Sequence, residues 1–221
     1  MRNKKKGIIL LSGGLDSATT LYFAKDKGYN LTGLIFDYGQ KHKKEIEFAR
    51  KIAKRQNVKY YHQKIDLSWT RSSLTDNKIK VPFNRSLNDK VIPKTYVSGR
   101  NIIFLSYAAS LAESLGATSI FIGAHVEDYS GYPDCRPEFI QSFEKALNKG
   151  IVNSKIKIVA PLINKSKKDI VKLGFKLGVP FEDTWSCYCG KTHPCGKCDS
   201  CRFRSQAFKD LSLADPLIKK K

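Results

Sequence analysis

Two stretches of this sequence carry residue types and spacings that can do chemistry. The first is Ser12-Gly13-Gly14-Leu15-Asp16-Ser17, which follows directly on the apolar run ending at Leu11. Two adjacent glycines let backbone N–H groups approach an anion closely, and a helix opening there adds its partial positive charge. Ser12 and Ser17 supply hydroxyl donors for phosphate oxygens. Asp16 is unexpected in an anion cradle; it can cap the helix, or hold a cation such as Mg²⁺ that offsets the phosphates. The second stretch is "SCYCGKTHPCGKCDSC", with Cys187, Cys189, Cys195, Cys198 and Cys201. Two C-x-x-C steps share Cys198 and bring three thiolates to one ion, with a fourth from Cys187 or Cys189. Four thiolates in tetrahedral array make a closed structural zinc site. His193 could replace one sulfur, and a four-Cys iron–sulfur cluster uses the same ligand type. The cysteine left over is a candidate reactive thiol or a bystander.

These groups must be positioned by something, and the pattern between them alternates strand and helix. Gly7–Leu11 reads as a buried strand and Asp16–Lys27 as the helix after it. "LTGLIFDYG" is a second strand, and in the helix that follows Ile46, Ala49, Ile52 and Ala53 share one face. "VKYYHQKIDL" is a third strand. The polar stretch from Ser68 to Ser98 is long enough to be a functional loop or lid. An apolar helix then runs from Arg100 to Gly116, "TSIFIGA" is a strand, and a helix from Arg136 has Pro137 in its first turn and Gly150 past its end. "KIKIVAPL" and "KSKKDIVKLGFKLG" repeat the strand–helix unit. Such alternation implies an α/β fold, a doubly wound parallel sheet with helices on both faces. In that architecture ligands bind beyond the carboxyl ends of the strands, where the strand order reverses. The glycine loop after the first strand stands there.

Composition bounds the rest. The chain has 221 residues with 41% hydrophobic and 11% aromatic content, enough for one sizeable globular domain with a small appendage. We place the division at residues 1–182 for the α/β domain and 183–221 for the cysteine segment with a C-terminal helix. The formal charge is +20, from 31 Lys, 9 Arg and 20 acidic residues, and seven of the cationic side chains lie in the two tails. Arginine, favoured for bidentate phosphate recognition, is scarce. Lysine spread along the whole chain reads as compositional, so no direct nucleic-acid binding is expected. No export signal or membrane span is visible, which with clustered cysteines points to a reducing cytoplasm.

The loop is neither a Walker A motif nor the G-x-G-x-x-G fingerprint. Ser-Gly-Gly-Leu-Asp-Ser resembles the pyrophosphate loop of the ATP pyrophosphatase superfamily, whose members split ATP between the α- and β-phosphates and adenylate a substrate oxygen. Together with "FDYGQKH", "SGRNIIFLS", "DYSGYPDCRPEF" and the cysteine run, the sequence resembles the 7-cyano-7-deazaguanine synthase family over nearly its whole length. The resemblance implies an adenine nucleotide alpha hydrolase-like fold and an ATP-dependent conversion of 7-carboxy-7-deazaguanine and ammonia into the nitrile, through an acyl-adenylate and an amide. It implies ATP contacts at Leu11, Ser12, Gly13, Gly14, Leu15, Asp16, Ser17, Ala18, Thr19, Thr20 and Leu21. It implies zinc on Cys187, Cys195, Cys198 and Cys201, and a homodimer.

Residue chemistry suggests further roles. Asp16 and Ser17 would act in the loop, and Arg100 would meet a phosphate or the substrate carboxylate. His42, after the second strand, could handle protons during ammonia attack, and His125 is comparable. Tyr129, Tyr132, Asp134, Arg136 and Glu138 lie in a segment too rich in polar and aromatic groups for a plain linker, and we expect the deazapurine there. Asp134 or Glu138 would accept from its guanine-like N–H edge; Glu138 could equally serve the helix N-terminus. Two competing readings stand: an adenylating enzyme acting on a tRNA base, and a non-enzymatic zinc-ribbon module.

Overall fold

The computed structural model describes residues 4–86, 91–125, 132–152 and 155–218. Its elements in chain order are β1 (Lys6–Leu10), α1 (Leu15–Asp26), β2 (Asn30–Asp37), α2 (Lys44–Arg55), β3 (Lys59–Lys64), α3 (Arg100–Leu115), β4 (Ser119–Phe121), α4 (Pro137–Gly150), β5 (Lys157–Val159), α5 (Lys167–Lys176) and α6 (Asp199–Lys209). All strand pairs are parallel, in the order β3-β2-β1-β4-β5. The expected doubly wound sheet is the one observed.

Side-chain alternation on β1 shows how the two faces are built. Ile9, with Leu11 beyond the strand, faces a core completed by Leu15, Ala18 and Leu21 of α1, Ala49 and Ile52 of α2, Ile170 of α5 and Phe208 of α6. Ile8 and Leu10 face the opposite side, against Leu105, Ala108 and Ala112 of α3 and Ile140 of α4. The apolar face predicted for α2 is the buried one: Ile46, Ala49, Ile52 and Ala53. α1 is buried nearly all round, including Ser17, Thr19 and Thr20, because it lies between the sheet and α5. It therefore lacks the amphipathic stripe of a surface helix.

The strand order turns back between β1 and β4, so the crevice of this sheet lies at the ends of those two strands. Gly123, just past β4, permits the approach: a Cβ there would lie 3.1 Å from the backbone carbon of Asp16. The long connection after β3 contains a 3₁₀ turn at Ser68–Thr70. Its Ser72, Ser73, Leu74, Thr95 and Val97 are buried, so it packs as a cover on the molecule rather than a solvated loop.

The segment after α5 is bound into the same body. Ala207 and Phe208 of α6 belong to the main core, and a 3₁₀ turn, Phe181–Asp183, spans the division expected at 182/183. Arg204, almost wholly buried, ties the two sides together. It donates to both Asp215 carboxylate oxygens at 2.7 and 2.8 Å, to Thr184 Oγ1 at 2.7 Å and to the Phe181 carbonyl at 2.9 Å. Among the described residues no helix is long and apolar enough to cross a membrane.

Candidate functional site

The glycine loop closes on itself through its two serines. Ser12 N donates to Ser17 Oγ at 3.2 Å, the two hydroxyls are 3.1 Å apart, and Gly14 N approaches Ser12 Oγ at 3.4 Å. Gly13 has φ of +76°, and a Cβ on it would overlap the Glu45 carbonyl oxygen and lie 2.6 Å from Ala49 N. Only glycine lets the loop pass this close to α2. Gly14 is the N-cap of α1 and no side chain caps it, so the capping role considered for Asp16 is not the one observed. Asp16 sits in the first turn with its carboxylate turned to Lys167, whose Nζ donates to both oxygens at 2.9 Å. The cation beside Asp16 is thus an ammonium of the chain itself.

Lys167 Nζ also donates to His125 Nε2 at 2.7 Å. Burial by itself would raise the Asp16 pKa; Lys167 and then His125 outweigh it and hold the carboxyl below the usual value. Lys167 is placed by local chemistry: Ser166 and Asp169 form a reciprocal capping box at the start of α5. The sequence reading overlooked Lys167, although "SKKD" carries the Ser…Asp spacing that marks the start of a helix.

The loop forms one wall of a cleft lined also by Tyr38, Glu45, Arg100, Phe104, Tyr132 and Tyr188. Arg100 opens α3 after Gly99, which has φ of +64°. Its guanidinium donates to Tyr38 Oη at 3.4 Å and lies over the Tyr38 ring at 5.7 Å. Burial pushes the Tyr38 phenol up to about 12, with Arg100 opposing the shift. Glu45 is lifted by burial to about 7; Arg100 works against that and Cys187 adds to it.

The expected substrate residues separate. Asp134 is buried and its Oδ2 accepts the backbone N–H of Asn101 at 2.9 Å, while Asn101 Nδ2 donates to the Asp134 carbonyl at 3.3 Å. Its carboxylate anchors the first turn of α3, and through it Arg100. Arg136 is the N-cap of α4 and Glu138 lies in that helix's first turn, both exposed and neither lining the cleft. Tyr129 lies outside the described residues. Tyr132 lines the cleft and its hydroxyl meets Thr95 Oγ1 at 3.0 Å. His42 stacks on Trp185 at 5.6 Å with its Nε2 on the Gly190 carbonyl. Of the residues expected to act, Asp16, Ser17 and Arg100 share the cleft. Leu11, Leu15, Ala18, Thr19, Thr20 and Leu21 are buried.

The cysteine segment reaches the cleft as well. Trp185 N donates to the Gly13 carbonyl at 2.8 Å, and Trp185 and Tyr188 line the same cavity. The Sγ atoms of Cys187, Cys195, Cys198 and Cys201 all lie within 4.8 Å of one another. Backbone amides point at the sulfurs: Gly190 N and Cys195 N to Cys187 at 3.0 and 3.2 Å, Cys198 N to Cys195 at 3.3 Å. Such N–H···S contacts favour thiolates, as does the start of α6, where Cys198 is the N-cap. A Cβ on Gly190 would collide with the His193 carbonyl oxygen and come to 3.1 Å from Cys187 Sγ. This cluster fits a metal ion held by four sulfurs. Cys187 is the fourth member of the group; Cys189 lies outside it, and so does His193.

The architecture is shared with known structures. NMN synthetase from Francisella tularensis superposes with a TM-score of 0.50 over 96% of this chain and 79% of that one, at 18% identity. A predicted subunit of a tRNA methyltransferase from Methanocaldococcus jannaschii gives 0.52 over 98% and 93%, at 16% identity. At the sequence level, a 7-cyano-7-deazaguanine synthase from Clostridium kluyveri is 51% identical over 220 residues, covering 96% of this chain and 97% of its own. One from Thermoplasma volcanium is 51% identical over 219 residues, covering 96% and 90%. The family model described as queuosine biosynthesis protein QueC matches residues 6–212. With near full-length identity of about half and the phosphate-type loop, cleft and cysteine cluster in one body, the chain belongs to the queuosine biosynthesis protein QueC family.

Proposed function

We propose that this chain converts 7-carboxy-7-deazaguanine and ammonia into 7-cyano-7-deazaguanine at the expense of ATP, as a carbon–nitrogen ligase. The observation that supports this most is the full-length identity to 7-cyano-7-deazaguanine synthases from bacteria and an archaeon. The site is consistent with the chemistry. A carboxylate cannot exchange oxygen for nitrogen at neutral pH until that oxygen is made a leaving group. Adenylation does this: a carboxylate oxygen attacks the α-phosphorus and pyrophosphate departs. Ammonia then displaces AMP to give the amide. A second adenylation, on the amide oxygen, and loss of AMP leave the nitrile.

In this reading the amides at the start of α1 and the Ser12 and Ser17 hydroxyls hold the departing pyrophosphate. Lys167 is close enough to Asp16 to hold that carboxylate's charge away from the phosphates. Arg100, aimed by Asn101 and Asp134, takes the substrate carboxylate or α-phosphate. Tyr132, Tyr188 and Phe104 offer the aromatic walls that a planar base requires.

We assign zinc to Cys187, Cys195, Cys198 and Cys201, where a closed four-thiolate set would hold the loop against the cleft. Magnesium is different. Both Asp16 oxygens are engaged by Lys167, and the four-cysteine set is the one metal-type cluster among the described residues. The residues therefore do not form a cage for it, and no step is assigned to it. The reading also includes a homodimer working in the cytosol, which sedimentation and fractionation would test.

The deciding experiment incubates the metal-loaded protein with 7-carboxy-7-deazaguanine, ATP, Mg²⁺ and ammonium, with mass spectrometry of the base. Appearance of the nitrile together with AMP and pyrophosphate is expected. An unchanged base from a folded sample would overturn the proposal.

A further inference from the structure

The cleft has a side chamber. It is lined by Tyr38, Gln40, His42, Glu45, Leu74 and Tyr188, and its free volume is about 10 Å³. That is room for about one molecule the size of water. Tyr38, Glu45, Leu74 and Tyr188 line the main cleft too, so the chamber adjoins it.

The chamber offers several acceptors. The Gly190 carbonyl can only accept, so His42 Nε2 carries the proton of that hydrogen bond. In the neutral ring Nδ1 is then an acceptor, and it is buried with no hydrogen-bond partner among the described residues. Glu45 contributes a carboxylate. Tyr38 Oη already receives a hydrogen bond from Arg100 at 3.4 Å and keeps a further lone pair. Gln40 adds nothing free: its Oε1 takes Tyr38 N at 2.8 Å and its Nε2 goes to the Phe36 carbonyl at 3.2 Å. Two phenol rings complete the walls, and aromatic faces attract cations.

We infer that this chamber is the ammonium subsite, with Glu45 and His42 Nδ1 as its acceptors. The inference rests on the reading of ammonia as the nitrogen donor. Ammonium has four N–H donors, no acceptor and the size of a water molecule, which matches a small hole walled by a carboxylate, an imine nitrogen and aromatic rings. A cation also needs a local anion on a chain of net charge +20. Among the described residues two carboxylates line the cleft, Asp16 and Glu45. Asp16 is neutralised by Lys167. Arg100 is the cation that acts on Glu45, and the anionic substrate would take up its charge. The nitrogen thereby waits beside the adenylated carboxyl instead of arriving from bulk solvent.

Two measurements on the full-length, metal-loaded protein test this. In the first, thermal midpoints are compared in ammonium, sodium and tetramethylammonium chloride at equal concentration. A rise specific to ammonium is expected for wild type and its loss in Glu45→Gln. In the second, ammonium is titrated during turnover. Glu45→Gln and His42→Phe should each raise the KM for ammonium about tenfold or more, with the KM for ATP within about twofold. Pyrophosphate release on adenylation in the absence of ammonium should persist, which a merely structural defect would not allow. Methylammonium, too large for the chamber, should not substitute. An unchanged ammonium KM in Glu45→Gln, or no ammonium-specific stabilisation of wild type, overturns the subsite. Stabilisation by ammonium without nitrile formation would instead sustain the subsite and overturn the reaction proposed above.

Discussion

Arg204→Met isolates the contact that holds the cysteine segment to the α/β body. The wild-type guanidinium is almost fully buried and makes two hydrogen bonds to Asp215, two to Thr184 and one to the Phe181 carbonyl. Methionine fills much of the same volume but leaves the Asp215 carboxylate buried without its cation. Breaking one side of a buried ion pair in this way costs about 3–5 kcal/mol. For a chain of this size each kcal/mol lowers the melting temperature by about 2–4 °C, so a fall of about 6–20 °C is expected. The effect should reach the metal as well, because Thr184 leads directly into Trp185 and Cys187, and Arg204 stands one turn after Cys201 in α6. Calorimetry and metal content should therefore fall together. Adding Asp215→Leu removes the stranded charge and should recover a large part of the loss. A single variant that melts within about 2 °C of wild type, or a double variant no better than the single, would refute the reasoning.

Gly13→Ala should abolish adenylation and cost at least about 3 kcal/mol, since the new Cβ meets the backbone of α2 at a φ that disfavours any side chain; denaturant unfolding and AMP release check it. Chelation, or Cys198→Ser, should release the metal and change the fluorescence of Trp185, whereas Cys189→Ser should retain a full complement by elemental analysis. Acid stability carries a signature of Asp16. Its folded carboxyl lies below the unfolded value, so the stability it contributes is present above that value and is lost as pH falls through the folded one. Asp16→Asn should flatten the decline of melting temperature between about pH 5 and pH 2. Glu45 has the opposite sign: its carboxyl is raised to about 7, so stability falls as pH rises from the unfolded value toward 7, and Glu45→Gln should remove that slope.

The sequence alone determined the architecture and two of the functional features, for local reasons. Short apolar runs between turn residues, and the 3.6-residue face of α2, located the strands and helices to within a few residues, since run length and backbone geometry are local. The glycine loop and the C-x-x-C steps were legible because their chemistry lies within a few consecutive residues. Tertiary structure decided everything that depends on residues far apart in the chain. Lys167 reaches Asp16 across 151 positions, and no local pattern reports that a lysine in a capping box will neutralise a carboxylate in another helix. Asp134 was read as a group for the base and instead accepts from Asn101, because the turn carrying it packs against the start of α3. His42 and Glu45, three residues apart, lie beside one water-sized chamber only because the cysteine loop brings Gly190 and Tyr188 over them. Which side chains share a cavity is settled by packing of distant segments, and that information is not local in the sequence.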